Sequence, residues 1–124
     1  MTTPETEPAE NAEPAEDDRV GTRYRSEVEA AYRKSAASAE EPARQTQLAR
    51  GLLTGYRWAL GHSAVAPVTG GATNGPPGLG QLTAEVDAAT VQLEGAAQRG
   101  VSQDHTQGVY DALAWVCGQL EQRP

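Results

Sequence analysis

Arg50-Gly51-Leu52-Leu53-Thr54-Gly55-Tyr56-Arg57-Trp58-Ala59-Leu60-Gly61 is the stretch on which the fold turns, because its frame occurs twice. Gln107-Gly108-Val109-Tyr110-Asp111-Ala112-Leu113-Ala114-Trp115-Val116-Cys117-Gly118 again sets a Gly seven residues before a Trp and another Gly three residues after it. The two copies hold the only tryptophans of the chain. At about 100° per residue, seven residues make nearly two helical turns, so each leading Gly shares a stripe with its Trp. The ring leans toward the helix N-terminus and passes over the bare Gly, which leaves a flat slot for a neighbouring helix. Such a frame has two uses. Inside one chain, the copies pair around a local pseudo-twofold axis. Between chains, equivalent helices meet in a homodimer, with Gly51, Gly55, Trp58, Gly108 and Trp115 at the interface. Small residues permit the close helix approach, and aromatic anchors are what interfaces favour.

Working outward, the first copy lies in a helix expected over about 39–61. Leu48, Leu52, Tyr56 and Ala59 make one stripe, with Ala49, Leu53 and Leu60 beside it and Gly51, Gly55 and Trp58 on the other side. Ser38-Ala39-Glu40-Glu41 has the capping-box spacing for its start, with Pro42 in the first turn; one unbroken helix kinked near Pro42 is the alternative. Gly61 is placed to end it. Before it, residues 22–37 read as a helix with Tyr24, Val28, Ala31 and Tyr32 on one stripe and Glu29 four residues ahead of Arg33, the favourable order for an ion pair. After it, residues 62–81 are rich in Gly and Pro and read as a long flexible loop, beyond the usual connection length. A third helix is expected over 82–99 on the narrow stripe Leu82, Val86, Ala89, Leu93 and Ala96, closed by Gly100. A fourth is expected over 103–121, capped by Ser102 or Asp104. No stretch alternates with period two, so no sheet is expected.

The chain is 124 residues long, 38% hydrophobic, with no Phe. A core of Leu, Val, Tyr, two Trp and much Ala is thin and suits closely packed helices, leaving a lone monomer marginal. Narrow stripes on the first and third helices are too little to cover both sides of the second, which points to an association surface. No run approaches the ~18 apolar residues of a membrane span. The acidic N-terminus has no apolar core and is not expected to be a secretory signal. One cysteine, Cys117, gives no internal disulfide and fits a reducing cytosol, so a cytoplasmic protein is expected.

The net charge of −7 is unevenly spread. Seven acids and no base fall in residues 1–18, in a segment that repeats Glu-Pro-Ala-Glu at 7–10 and 13–16. Residues 1–21 therefore read as a disordered acidic tail ahead of one helical domain, 22–124. The tail either keeps the protein in solution or covers a basic surface. Eight of the ten bases fall in 19–57, and the remainder of the chain is acidic.

The search for chemistry yields little. His105 and Cys117 are twelve residues apart on one expected helix, a rise of ~18 Å, so they cannot form a nucleophilic pair within a chain. Two scattered histidines and one cysteine match no metal-ligand spacing. Residues 70–80 resemble a phosphate loop only in glycine content: Pro76 and Pro77 lack N–H donors, and neither a Lys nor a preceding strand is present. No catalytic, cofactor-binding or metal-binding residue is expected. For nucleic acid, Arg23, Arg25, Arg33, Lys34 and Arg44 with nearby Tyr24 and Tyr32 are the candidate contacts. Interleaved acids and an overall acidic chain make a mixed-charge, solvated face the favoured reading of them.

Tyr-Arg-Trp-Ala-Leu-Gly and Asp-Ala-Leu-Ala-Trp-Val-Cys-Gly are similar to short helices of uncharacterised actinobacterial and actinophage proteins, and nine Arg against one Lys resembles such proteomes in composition. The likeness is confined to these two short stretches and implies no activity. The expectation is an all-α bundle of three to four helices, a non-enzymatic protein that binds itself as a homodimer or binds another protein. An accessory regulator that contacts nucleic acid through 19–57 is the alternative. Neither a cofactor nor a membrane is expected.

Overall fold

A computed structural model describes residues 18–100 and 102–124. Among the described residues, the chain is mostly helical, with four α-helices and a small two-stranded sheet. In order, the elements are β1 (Arg19–Val20), β2 (Arg23–Tyr24), α1 (Arg25–Ser38), a 3-10 turn (Pro42–Arg44), α2 (Gln47–Ala59), α3 (Leu79–Arg99) and α4 (Asp104–Val116). Among the described residues, no helix is long and apolar enough to cross a membrane. Residues 1–17 of the expected tail lie outside the described residues.

The sheet corrects the purely helical expectation. β1 and β2 pair antiparallel, Arg19 opposite Tyr24 and Val20 opposite Arg23, around a turn in which Gly21 has φ 62°. Strands of two residues are too short to show alternation, which hid them. The hairpin also ends the supposed tail early, since Val20 is buried. It closes the end of α4, whose last carbonyls have no partners within the helix. Thr22 N and Oγ1 both donate to Val116 O, at 2.9 and 3.0 Å. Arg23 Nε donates to Trp115 O at 2.8 Å and an Nη to Leu120 O at 2.7 Å.

α1 starts three residues later than expected. Tyr24 is its N-cap, with its N–H donating to the Glu27 carboxylate at 2.9 Å. Glu29 pairs back to Arg25 at 3.2 Å rather than forward to Arg33. Val28 and Ala31 are buried as expected, whereas Tyr24 falls outside the helix and is exposed beneath the Arg19 guanidinium.

α2 begins at Gln47, and neither form of the expected start at 39 is present. Ser38 closes α1 instead of capping a new helix. Glu41, preceding Pro42, takes the extended conformation that proline imposes on its predecessor. The chain then makes one 3-10 turn and restarts at Thr46, whose Oγ1 accepts from Ala49 N at 3.1 Å. Leu48, placed in the first turn, is left partly exposed rather than buried. α3 ends at Arg99 with Gly100 left-handed at φ 69°, as expected. Neither Ser102 nor Asp104 caps α4: Gln103 holds that position, and Ser102 Oγ donates to Asp104 Oδ1 at 2.7 Å. The fourth helix stops at Val116, five residues short of its expected end.

The repeated frame pairs with itself inside the chain. α2 and α4 cross at Gly51 and Gly108. A Cβ on Gly51 would strike His105 O and lie 3.0 Å from Gly108 Cα; one on Gly108 would strike Leu48 O and lie 2.9 Å from Gly51 Cα. The same offset of 57 residues relates Leu48 to His105 and Gly51 to Gly108, so the contact is reciprocal, as a pseudo-twofold axis requires. Both helices also leave the pair alike. Gly61 (φ 84°) donates to Trp58 O at 3.0 Å and His62 N to Arg57 O at 2.8 Å. Gly118 (φ 81°) donates to Trp115 O at 3.0 Å and Gln119 N to Ala114 O at 2.8 Å. These are matching Schellman exits.

Residues 60–78 are the long non-helical connection, but they are tied down. Val68 N, Thr69 N and Thr69 Oγ1 donate to the buried Glu85 carboxylate at 2.7, 3.2 and 2.6 Å. Ala66 N donates to Gly71 O at 2.8 Å, and Val65 bridges Ala72. The core gathers Val28, Tyr56, Trp58, Leu60, Leu82, Val86, Leu113 and Trp115 between the helices.

Candidate functional site

The two tryptophans define no surface. Trp58 is 1% exposed and Trp115 5%, and Gly51, Gly55 and Gly108 are buried. Trp58 Nε1 donates to Thr73 Oγ1 at 3.2 Å, while Trp115 meets Tyr56 edge-on with ring centroids 6.2 Å apart. Gly51, Gly55, Gly108 and Trp115 thus pack within the chain's own α2–α4 pair, and Trp58 faces the 60–78 connection. Around α2, α4 packs on one side, and α1 and Thr73 of the 60–78 connection supply further contacts.

The basic candidates divide. Arg23 caps α4 and lies over the Trp115 ring at 4.8 Å, and Arg25 donates to Leu60 O at 3.0 Å and pairs with Glu29. Both are fixed in the fold. Arg33 is exposed on α1. Lys34 and Arg44 are brought together at the rim of a groove of about 270 Å³.

That groove is built from three parts of the chain. α1 contributes Ala31, Lys34, Ser35 and Ser38, spaced so that they share one helical face. α2 contributes Ala49 and Leu52, three residues apart, and the 3-10 turn contributes Arg44. Arg123 and Pro124 close it from the segment after α4. The floor is apolar (Ala31, Ala49, Leu52), and three cations stand around it. Arg44 shares its charge with Glu41 at 3.2 Å, both side chains about two-thirds exposed, a pair that holds it only weakly. Arg123 was invisible to local sequence reasoning, because more than 70 residues separate it from the rest of the groove and no motif includes it.

In the core, the Tyr56 hydroxyl is fully buried and has no hydrogen-bond partner among the described residues. Burial pushes its pKa up to about 12; the nearby Arg123 charge opposes the rise and Asp111 adds to it. Cys117 is half-buried, with its thiol pushed up chiefly by burial, against the opposing effect of its hydrogen-bond contact with Thr83 Oγ1 at 4.0 Å. A raised thiol pKa makes a poor nucleophile at neutral pH. His105 lies beside Thr54 Oγ1 at 3.4 Å, and His62 stacks on Tyr32 with ring centroids 6.2 Å apart. Among the described residues, no group of three His, Cys, Asp or Glu side chains is placed to hold a metal. A smaller hollow of about 160 Å³ near Trp58, Thr73 and Glu85 has its carboxylate already occupied by the loop. An open depression of about 330 Å³ along α3 and Gln103 carries a single charged side chain, Arg99.

Among the described residues, fold and groove together describe a small helical protein with a basic, apolar-floored cleft. In comparison with known proteins, no family model, no curated protein and no solved structure matches the chain.

Proposed function

We propose that this is a non-enzymatic interaction protein whose groove between α1 and α2 holds an acidic segment of a partner protein. The observation that carries this reading is the convergence of Lys34, Arg44 and Arg123 around the floor of Ala31, Ala49 and Leu52. Cations steer and orient an acidic chain, and the apolar floor supplies the contact area that such weak surface charges lack. Nucleic acid is the lesser reading. Arg23 and Arg25 are committed to the fold, and no aromatic side chain lines the groove to stack a base.

A panel of fluorescent peptides carrying Glu or Asp around Pro, Ala or Leu, together with a random-sequence duplex, tests it. The full-length chain with Lys34→Glu and Arg44→Glu serves as control. Acidic peptides should bind the parent in low salt, weaken as salt rises, and lose about tenfold or more in the control, the scale of one lost charged contact. Binding of the duplex alone, or no difference between parent and control, sinks the proposal.

A further inference from the structure

The groove sets apolar surface among cations, and the chain carries the complementary pattern. Glu7-Pro8-Ala9-Glu10 and Glu13-Pro14-Ala15-Glu16 each place an apolar pair between two carboxylates. We propose that the chain's own segment Glu7-Pro8-Ala9-Glu10 docks in the groove of Lys34, Arg44 and Arg123, in competition with a partner's acidic segment. This inference rests on the reading of the groove as a site for acidic segments.

Charge supports the pairing. Residues 1–18 carry −7 and no base, whereas the sum over residues 19–124 is zero, so the basic rim is the local attractor for the tail. Reach decides which copy fits. Asp18 is anchored at the start of α1, where its carbonyl accepts from Arg25 N at 3.1 Å. Lys34 and Ser38 lie nine and thirteen residues along α1, a rise of roughly 14–20 Å. Residues 13–16 are two to five residues from Asp18, at most ~17 Å of chain, and reach only the near end. Residues 7–10 are eight to eleven residues away, up to ~36 Å, and reach the whole groove.

Spacing fits as well. Any Glu-Pro-Ala-Glu peptide in the extended conformation that proline favours sets its two carboxylates on one edge, ~9 Å apart along the chain. The pair then straddles the floor while its carboxylates meet the rim. Glu41 competes for Arg44, so each ion pair is weak. A short tether compensates through an effective concentration in the millimolar range.

The test uses the full-length chain in three forms: the parent, a neutral-tail form, and the neutral-tail form with Lys34→Glu and Arg44→Glu. Neutral-tail means Glu5→Gln, Glu7→Gln, Glu10→Gln, Glu13→Gln, Glu16→Gln and Asp17→Asn. A fluorescent synthetic peptide of residues 1–17 is titrated into each at low salt, with circular dichroism confirming that all three are folded. The peptide should bind the neutral-tail form, bind the parent about tenfold more weakly because the tethered copy competes, and lose binding in the third form. Equal affinity for parent and neutral-tail form overturns the proposal, as does binding that ignores the groove substitutions.

A photoreactive residue at Ala9 in the otherwise native chain gives a second measurement that needs no groove variant. Cross-links should fall on residues 31–52 or 123 of the same molecule; cross-links to another face or to a second copy overturn docking in cis. If other acidic peptides bind the groove and the 1–17 peptide does not, this inference fails and the proposed function stands. If no acidic peptide binds, both fail.

Discussion

Gly51 and Gly95 are both helical glycines, yet a methyl group added to each meets different surroundings. On Gly95 it would meet only the tip of Arg99 at 3.4 Å, a flexible neighbour. On Gly51 it would strike the backbone of α4, which cannot yield without parting the helices. Gly95→Ala should therefore raise stability by about 0.5–1 kcal/mol through helix propensity. Gly51→Ala should lower it by about 1–3 kcal/mol through overpacking. Urea denaturation of both variants checks the pair, and equal effects would mean that α2 and α4 do not meet at Gly51. Tyr56 provides a pH-dependent counterpart. Its folded pKa is about 12, against 10.0 for the ordinary phenol, so the folded state holds the proton more tightly. The stability this contributes is fully present below pH 10 and is lost as pH rises toward 12, by about 2–3 kcal/mol at most. Tyr56→Phe should remove that alkaline loss and, by deleting an unpartnered buried hydroxyl, raise stability at pH 8 by about 1 kcal/mol. Denaturant midpoints at pH 8, 10 and 11 measure both effects; a parent and variant that decline in parallel would contradict the assignment.

Among the elements, the Val68–Thr69 part of the 60–78 connection is tied to α3 by one side chain. Glu85 is 3% exposed, and its carboxylate accepts all three donors that Val68 and Thr69 turn toward α3. Glu85→Gln replaces an acceptor oxygen with a donor and leaves a buried N–H or hydroxyl unpaired, at about 1–3 kcal/mol. Amide exchange at Val68 and Thr69 should accelerate while Val109 and Leu113, in the core of α4, stay protected; unchanged exchange at Val68 would mean the loop holds itself. This anchor also shows where sequence reading stopped. Gly and Pro content identified the loop, but Glu85 follows the Leu82–Val86 stripe closely enough to pass for a solvated flank. Helix ends were legible where a single glycine encodes them, as at Gly61 and Gly100. The start of α2 was not, because Ser38 and Glu41 match a capping box that the chain does not use. Thr46 caps the helix with Ala49 at the third position, a combination with no pattern to recognise. The hairpin escaped because its strands are two residues long and its purpose, closing α4, is tertiary.

At the scale of the whole molecule, the Gly–Trp frame was readable as a packing device, but not whether it packs within a chain or between chains. Periodicity marks which faces of α2 must be covered, and the covering groups come from Thr73, α1 and α4, set by the fold rather than by the local sequence. The groove was half legible for the same reason: Lys34 and Arg44 stand in the basic segment, while Arg123 joins them only through the fold. The frame's internal use has a consequence that mass measurement can read. On Gly55, a Cβ would sit 2.9 Å from Ala112 Cβ and 3.3 Å from Val109 O, within the same chain. A leucine there must push α2 and α4 apart inside each molecule. Gly55→Leu should cost about 1–3 kcal/mol, and each kcal/mol corresponds to a fall in Tm of about 4–8 °C for a domain near this size. Light scattering on parent and variant, at tens of micromolar and well below the variant's Tm, should return the same mass for both. The overpacked contact is intramolecular, so destabilising it leaves any association through another surface intact. A lower mass for folded Gly55→Leu would place a second copy against Gly55, and the pairing of Gly51 with Gly108 within one chain would have to be abandoned.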